Sequence, residues 1–433
     1  MRLAFLSPLP PAATGIADYA ADVLAVLAPD HEVDVFHAQD EVDASRLPSS
    51  CAIHPAGRFL PEHGARPYDA VVYQMGNGLH HAFLYPLLPR APGLLVLHDL
   101  VLHHSRARML LDTEEARAYA REPWSRERRA QAGAAVEAYA SEVAHSYPNQ
   151  ATHLVHAQMA TVGDLLPYAY PLFRLPVEAS RVVAVHNAFM VEAVEAEVPS
   201  ADVITVAMPV EPLPVTAGGA RAVRARHGVA DDAFVVGCFG LLTREKQLLV
   251  VARAVARAAV HLPCLRLLLV GTAADRGRLE RTLEGTGVRQ RTVIAGHVTF
   301  DDLAAYLEAA DIVAHLRYPT ARETSAALLR ALAQGRPTVM SDLENLSEVP
   351  ADAVVRADAT DEEGDLLRAI LRLAADPSAR ARLGAGARAF VRTAHSLARC
   401  RQSYAAALER TVARRDPAPA GWPRHWSREA AGR

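Results

Sequence analysis

Short apolar runs recur along the chain, each followed by a turn or by a stretch with helical spacing. RLAFLSP (2–8), EVDVFHA (32–38), DAVVYQM (69–75), GLLVLHD (93–99), RVVAVHN (181–187) and VITVAMP (203–209) read as strands. After the first of them, ADYAADVLAVLA (17–28) carries its apolar residues at helical intervals. Runs that are apolar on both faces belong to parallel strands covered by helices on either side. The rhythm then repeats in AFVVGCFG (233–240), LRLLLVG (265–271), TVIAGHV (292–298), DIVAHLR (311–317), PTVMSD (337–342) and AVVRAD (353–358), with a helix predicted from about 246 to 260. The predicted fold class is α/β, with two doubly wound Rossmann-like domains facing across a cleft.

Between the two series, residues 209–220 (PVEPLPVTAGGA) hold three prolines and two glycines, a linker composition. The domains predicted are therefore 1–208 and a second beginning at 221. A long helical segment follows at about 377–412, and the Pro-rich stretch 414–433 is expected to be disordered. Ligands of doubly wound sheets sit beyond the carboxyl ends of the strands, which makes the cleft the expected site.

Composition narrows the function classes. The 433 residues are 51% hydrophobic and 22% charged, enough for two sizeable cores. The net charge is −3, so there is no basic field for nucleic acid. Cys51, Cys238, Cys264 and Cys400 are scattered, with neither metal-ligand spacing nor a disulfide framework, which points to a reducing cytoplasm. The start is broken by prolines and does not read as a signal peptide, and no apolar run has the length of a membrane span. The Arg-rich, Glu-rich stretch 104–145 has two readings. It is a solvated amphipathic helix, or a weak peripheral contact with the inner face of a membrane. Between 106 and 129 there are seven arginines against five acids, a small surplus that favours the solvated helix.

Among the 46 basic residues there is one lysine, Lys246. A compact ammonium and a planar guanidinium are not interchangeable, so the lone lysine either marks a position that needs its shape or is an exposed residue left over from the codon bias of a GC-rich genome, and its neighbours favour the first reading. Lys246 follows the strand-ending Gly240, at the carboxyl edge where a phosphate would lie.

A second signal is RETSAALLRALAQGRP (322–337). Thr324 or Ser325 can cap a helix that Gly335 and Pro337 end, and its amino end favours phosphate. Glu323 just before it suits sugar hydroxyls, or merely complements the helix dipole. Gly15 and Gly271 stand in turns where backbone can approach a ligand, or are ordinary βα turns.

In GLLVLHDLVLHH, His98 and Asp99 end a buried strand and His103 and His104 follow. Their spacing fits no common metal motif, and a hydrogen-bonding His98 is the preferred reading. Asn77 and His81, in GNGLHH, repeat the strand-end arrangement, with Asn-Gly turn chemistry as the plain alternative for Asn77. His297 stands in a turn where it could stack on a base or simply be exposed. No G-x-G-x-x-G follows the first strand and no Walker or G-x-S-x-G motif is present, which argues against dehydrogenase, P-loop and α/β-hydrolase readings.

Taken in order, SPLPPAATGIADY, LLVLHD, VVAVHN, FGLLTREK, LLLVG, VIAGHV, AADIVAHLRYP and ETSAALLRALAQGRPTVMSD resemble glycosyltransferase family 4, from Met1 to about Glu409. GIADY, GNG and RYPT…ETS look like a bacterial branch of it. The resemblance implies the GT-B fold and an enzyme of hexosyltransferase type. It would move a sugar from a nucleotide-diphosphate donor to a sugar, glycolipid or small-molecule acceptor, with retention and without metal or cofactor. It implies an acceptor-side first domain, a donor-binding domain over 221–390, and a helix over 391–413 crossing back to the first.

The resemblance also assigns roles. His98, Glu323 and Lys246 are catalytic. Gly15, Gly240, Lys246 and Gly271 lie at the donor's diphosphate, His297 and Val298 at its base. Arg322, Thr324, Ser325, Ala326, Ala327 and Arg330 form the phosphate-helix part of the donor site, and Asn77, His81 and Asp99 lie on the acceptor side.

Two departures stand out. Leu241 replaces an arginine common in the family, and Arg322 and Arg330 fall where two glutamates are usual, with Glu323 one residue late. An arginine cannot accept hydrogen bonds from a ribose, so the donor's identity stays open. A non-catalytic GT-B binding or scaffold subunit is the alternative function.

Overall fold

The computed structural model describes residues 1–122, 124–160, 165–418 and 421–431. The chain forms two compact units. One comprises Met1–Met208, Ala321–Thr324 and Cys400–Arg433, the other Pro209–Thr320 and Ser325–Arg399. The terminal helix Leu397–Ala413 thus lies, from Cys400 on, in the first unit.

The first unit is built on strands β1 (Arg2–Leu6), β2 (Glu32–His37), β3 (Ala52–Pro55), β4 (Ala70–Met75), β5 (Leu94–Leu97), β6 (Val182–Val185) and β7 (Val203–Thr205). They pair in parallel in the order β3-β2-β1-β4-β5-β6-β7. β4, β5 and β6 are buried along their whole length, as their unbroken apolar runs require. β3 was not foreseen. It is an edge strand with half-exposed residues, and AIHP carries no apolar run to mark it.

The second unit is built on β8 (Val235–Phe239), β9 (Arg266–Val270), β10 (Thr292–Gly296), β11 (Ile312–His315), β12 (Thr338–Ser341) and β13 (Val355–Ala357), in the order β10-β9-β8-β11-β12-β13. All its pairings are parallel. In each sheet the strand order reverses beside the first strand, at β1/β4 and at β8/β11. Those switch points open the crevice in which such sheets bind ligands.

Two expectations need correction. The stretch 104–145 is not one solvated helix. It belongs to a layer of separate helices, including His103–Leu111, Glu114–Arg121 and Gly133–Ser146. Arg106, counted as surface charge, is buried and donates two hydrogen bonds to buried Glu142. Nor is the described part of 414–433 disordered, positions 419–420 and 432–433 lying outside the described residues. Helix Arg424–Ala431 docks on the first unit, with Trp422 and Trp426 buried in its core. Trp426 Nε1 donates to Glu142 Oε1 at 2.7 Å. Two tryptophans four residues apart bury enough apolar surface to outweigh the polar composition around them. Among the described residues no helix is long and apolar enough to cross a membrane.

Candidate functional site

In the second unit the site grows from the end of β8. Gly240 follows the strand with φ +93°, and Gly271 follows β9 with φ +135°. The Gly240 amide donates to Val270 O and the Gly271 amide to Gly296 O, so three strand ends are bound in series. Lys246 does not open a helix, as the sequence suggested. It ends a 3₁₀ turn, Arg244–Lys246, and Gln247 in a left-handed conformation (φ +52°) separates it from helix Leu248–Ala258. That turn folds the side chain inward. Lys246 is only 6% exposed, and its Nζ donates to Phe239 O at 2.9 Å.

The position of a Cβ on Gly240 would lie 3.5 Å from Lys246 Nζ and 3.6 Å from the Ala327 Cβ. Gly240, the ammonium and the first turn of helix Ala326–Ala333 therefore converge at the carboxyl edge of the sheet. Ser325 is that helix's N-cap, its hydroxyl accepting from the Leu328 amide at 3.4 Å. The amides of Ala326 and Ala327, ahead of it, have no intrahelical acceptor. Burial, with the nearby charges of Lys246 and Arg317 after it, pushes the His315 ring well below the ordinary imidazole range.

Around this centre, His297 is exposed in the turn after β10, and Val298 is half-buried against the sheet. Arg330 is buried, its guanidinium 4.5 Å from the centroid of the Phe300 ring. Leu241 is half-exposed in the turn after β8.

In the first unit, Gly15 opens helix Gly15–Leu27 beyond β1, capped by the Thr14 hydroxyl. Nothing stands within 4 Å of where its Cβ would lie, so the loop needs glycine for neither packing nor conformation. His98 is buried, and protein groups engage both its ring nitrogens. Nδ1 is 3.1 Å from His186 Nε2, and Nε2 is 2.7 Å from the side-chain amide of Gln74. His186 Nδ1 faces Val206 O at 3.0 Å, so it carries the proton and its Nε2 accepts. His98 must then donate from Nδ1. Burial, with His186 second, pushes its pKa well down, so the ring is neutral and Nε2 accepts. Gln74 presents Oε1 to this nitrogen and its own Nε2 to the Tyr404 hydroxyl at 3.5 Å, so this tautomer requires the Gln74 amide to be turned end for end. A substrate hydroxyl could reach this ring only if one of these contacts opened.

The acceptor-side candidates cluster, and their bonds are internal. Asp99 Oδ2 accepts from the Asn77 amide at 2.7 Å. The Asn77 side chain accepts from the Ser105 amide and lies 3.1 Å from His104 Nδ1, which makes it a brace for the start of helix His103–Leu111. His81 is buried, donates from Nδ1 to Gln74 O at 2.8 Å, and is pushed down to about 4 by burial. His103 is bound to Tyr170 O and the Tyr139 hydroxyl. His98, His103 and His104 thus have separate partners and do not form a ligand set. The one described group with metal-ligand spacing is Asp34, His54 and Glu62, but Arg2 and Arg58 already neutralise its carboxylates.

Residues 321–324 are held in the first unit. Leu100 N–H donates to Ala321 O at 2.9 Å. Asn187, a buried residue that the sequence reading passed over, donates from Nδ2 to Arg322 O (3.2 Å) and Thr324 Oγ1 (3.0 Å). The Arg322 guanidinium lies 5.0 Å from the centroid of the Phe189 ring.

With this geometry in view, residues 233–376 match the family described as Glycosyl transferases group 1. Over 205 residues the chain is 34% identical to the D-inositol 3-phosphate glycosyltransferase of Stackebrandtia nassauensis, covering 43% of this chain and 44% of that one. The match therefore spans less than half the length of that relative. Sucrose-phosphate synthase from Thermosynechococcus elongatus superposes with a TM-score of 0.65 at 18% identity, over 95% of this chain and 99% of that one. HepE of Anabaena, solved with UDP-glucose, superposes with a TM-score of 0.64 at 16% identity, over 94% and 99%. The fold is that of the GT-B glycosyltransferases, and the second unit is similar to the group 1 glycosyl transferases.

Proposed function

We propose that this protein transfers a sugar from a nucleoside-diphosphate donor to a hydroxyl acceptor. The observation that carries the reading is the convergence of Gly240, the buried Lys246 ammonium and the amino end of helix Ala326–Ala333. All three lie in the segment matched to the group 1 glycosyl transferases. A close-approach glycine, a desolvated cation and free helix amides each favour phosphate, and together they suit a diphosphate.

In the proposed reaction the bond from the sugar's anomeric carbon to the donor phosphate breaks, and one to the acceptor oxygen forms. The acceptor's proton leaves to the departing phosphate. Negative charge grows on that phosphate, where Lys246 and the helix amides are fixed in advance. This supports a metal-independent reaction, and the resemblance to family 4 supports retention and a hexosyl donor. Glu323 is proposed to hold sugar hydroxyls. Arg330, folded over Phe300, offers a donor base or ribose a cationic surface in place of a carboxylate. His98 is proposed to act from inside the unit, fixing Gln74 and His186, more than by direct contact.

HepE, crystallised with UDP-glucose, puts that sugar nucleotide first in a donor panel. The name of the Stackebrandtia relative puts an inositol phosphate first among acceptors, beside sugar and lipid-linked ones. The protein is proposed to work in the cytoplasm or against the inner membrane face. The test is release of nucleoside diphosphate from a panel of nucleotide sugars, with and without acceptors, in the presence of a chelator. Release from one donor, accelerated by an acceptor, is expected. Binding without turnover of any donor would instead support the non-catalytic alternative.

A further inference from the structure

Arg322 has φ +65°, a left-handed conformation that a residue with a long side chain keeps only when its surroundings hold it. Several groups hold it. Leu100 fixes the carbonyl before it, Phe189 lies under its guanidinium, and Asn187 grips the carbonyl of Arg322 and the hydroxyl of Thr324. Glu323 stands between the two atoms that Asn187 holds.

Asn187 does a second task with its other atom. Its Oδ1 accepts from the Met190 amide at 2.9 Å, capping helix Ala188–Glu197. Cap and grip together need an acceptor and two donors on one short side chain, which a side-chain amide supplies. Serine and aspartate are equally good caps, but neither offers two donors at that reach. Capping alone therefore leaves the choice of asparagine unexplained.

We propose that Asn187 is a positioning residue that holds the strained segment 322–324 so that Glu323 is presented to the donor sugar. The inference rests on the glycosyltransferase reading for what Glu323 meets, and on the hydrogen bonds alone for the grip. Asn187 lies 136 positions before Glu323 and bonds the residues on either side of it, Arg322 and Thr324, so its effect passes through backbone geometry.

The test uses the full chain with Asn187→Ser and Asn187→Asp, which keep the helix cap, and is read in protein that circular dichroism shows to be folded. Hydrogen exchange of the ligand-free protein should quicken in both variants at the Leu100 amide, which donates to Ala321 O at the start of the gripped segment. With the best donor of the panel, kcat should fall on the order of 10²-fold, as expected when a reacting group is misplaced, while the Kd for UDP, which carries no sugar, stays unchanged. Unchanged exchange at the Leu100 amide overturns the grip. Faster exchange with unchanged kcat overturns its role in the reaction. A wild-type protein that turns over no donor contradicts the functional reading and the role assigned through it, while the exchange data decide the grip by themselves.

Discussion

A side chain on Gly271 would put its Cβ 2.1 Å from the carbonyl oxygen of Gly240. Two strand ends of the second unit therefore touch backbone to backbone, and the touching turn is the one that carries Lys246. Gly271→Ala must push the Gly240 turn away. It should cost about 1–3 kcal/mol of stability, as overpacking does, and weaken nucleoside diphosphate binding in protein that remains folded. Denaturant unfolding and calorimetric titration check the two effects. Undiminished binding would show that the turn does not shape the phosphate site.

Lys246 is the chain's one lysine, and its ammonium is buried against Phe239 O. Lys246→Ala should lower turnover on the order of 10²–10³-fold, the usual effect of removing a fixed donor from a developing anion. Lys246→Arg should recover only part, because a planar fork does not fit where a compact ammonium sits. Full recovery by arginine would make the lysine an accident of codon bias.

The Arg106–Glu142 pair is buried and braced by Trp426 and His425 from the terminal helix. The guanidinium and these donors hold the Glu142 carboxyl down to about 2 against the cost of burial. Glu142→Ala should strand a buried guanidinium and cost about 3–5 kcal/mol. It should also loosen the C-terminal helix, read as faster proteolysis near Trp422. A stable Glu142→Ala protein with an intact tail would contradict the brace.

Stability should fall on mild acidification. Burial pushes His81 and His103 down to about 4, so both are neutral in the folded chain at pH 6, while the unfolded chain protonates near 6.5. The unfolded state then binds more protons between these values, and unfolding free energy drops as pH falls from about 6.5 towards 4. Each histidine contributes a limiting slope of about 1.4 kcal/mol per pH unit. Glu142 contributes with the same sign only below its ordinary 4.5, where the unfolded carboxylate takes up a proton while the folded one stays ionised until about 2. Urea unfolding at pH 7 and pH 5 checks this. Equal stabilities would mean the two rings do not stay neutral.

What the sequence disclosed was what local pattern encodes. β4, β5 and β6 were legible because strands buried on both faces need unbroken apolar runs. β3 was not, because an edge strand needs only Ile53 and a partner, and Pro55 hides even that. The tail misled because Pro, Gly and Arg dominate its composition, although two tryptophans, Trp422 just before the helix and Trp426 within it, were a visible sign of a segment that docks. Gly240, Lys246 and Ser325 could be found because strand ends and caps have local signatures. The pairing of His98 with His186 and the grip of Asn187 on Arg322 join residues 88 and 135 positions apart, and no local pattern reports such contacts.

The most direct test of the account is the stabilisation of the purified protein by a nucleoside diphosphate in excess chelator, compared between wild type and Lys246→Ala. UDP, GDP and ADP serve as probes. At 100 times its dissociation constant, the bound diphosphate should add about 2.7 kcal/mol to the wild-type unfolding free energy, and the gain should disappear in the folded variant. No stabilisation by any of the three, or a gain that chelation abolishes or that Lys246→Ala leaves intact, would contradict a metal-free diphosphate site built on Lys246.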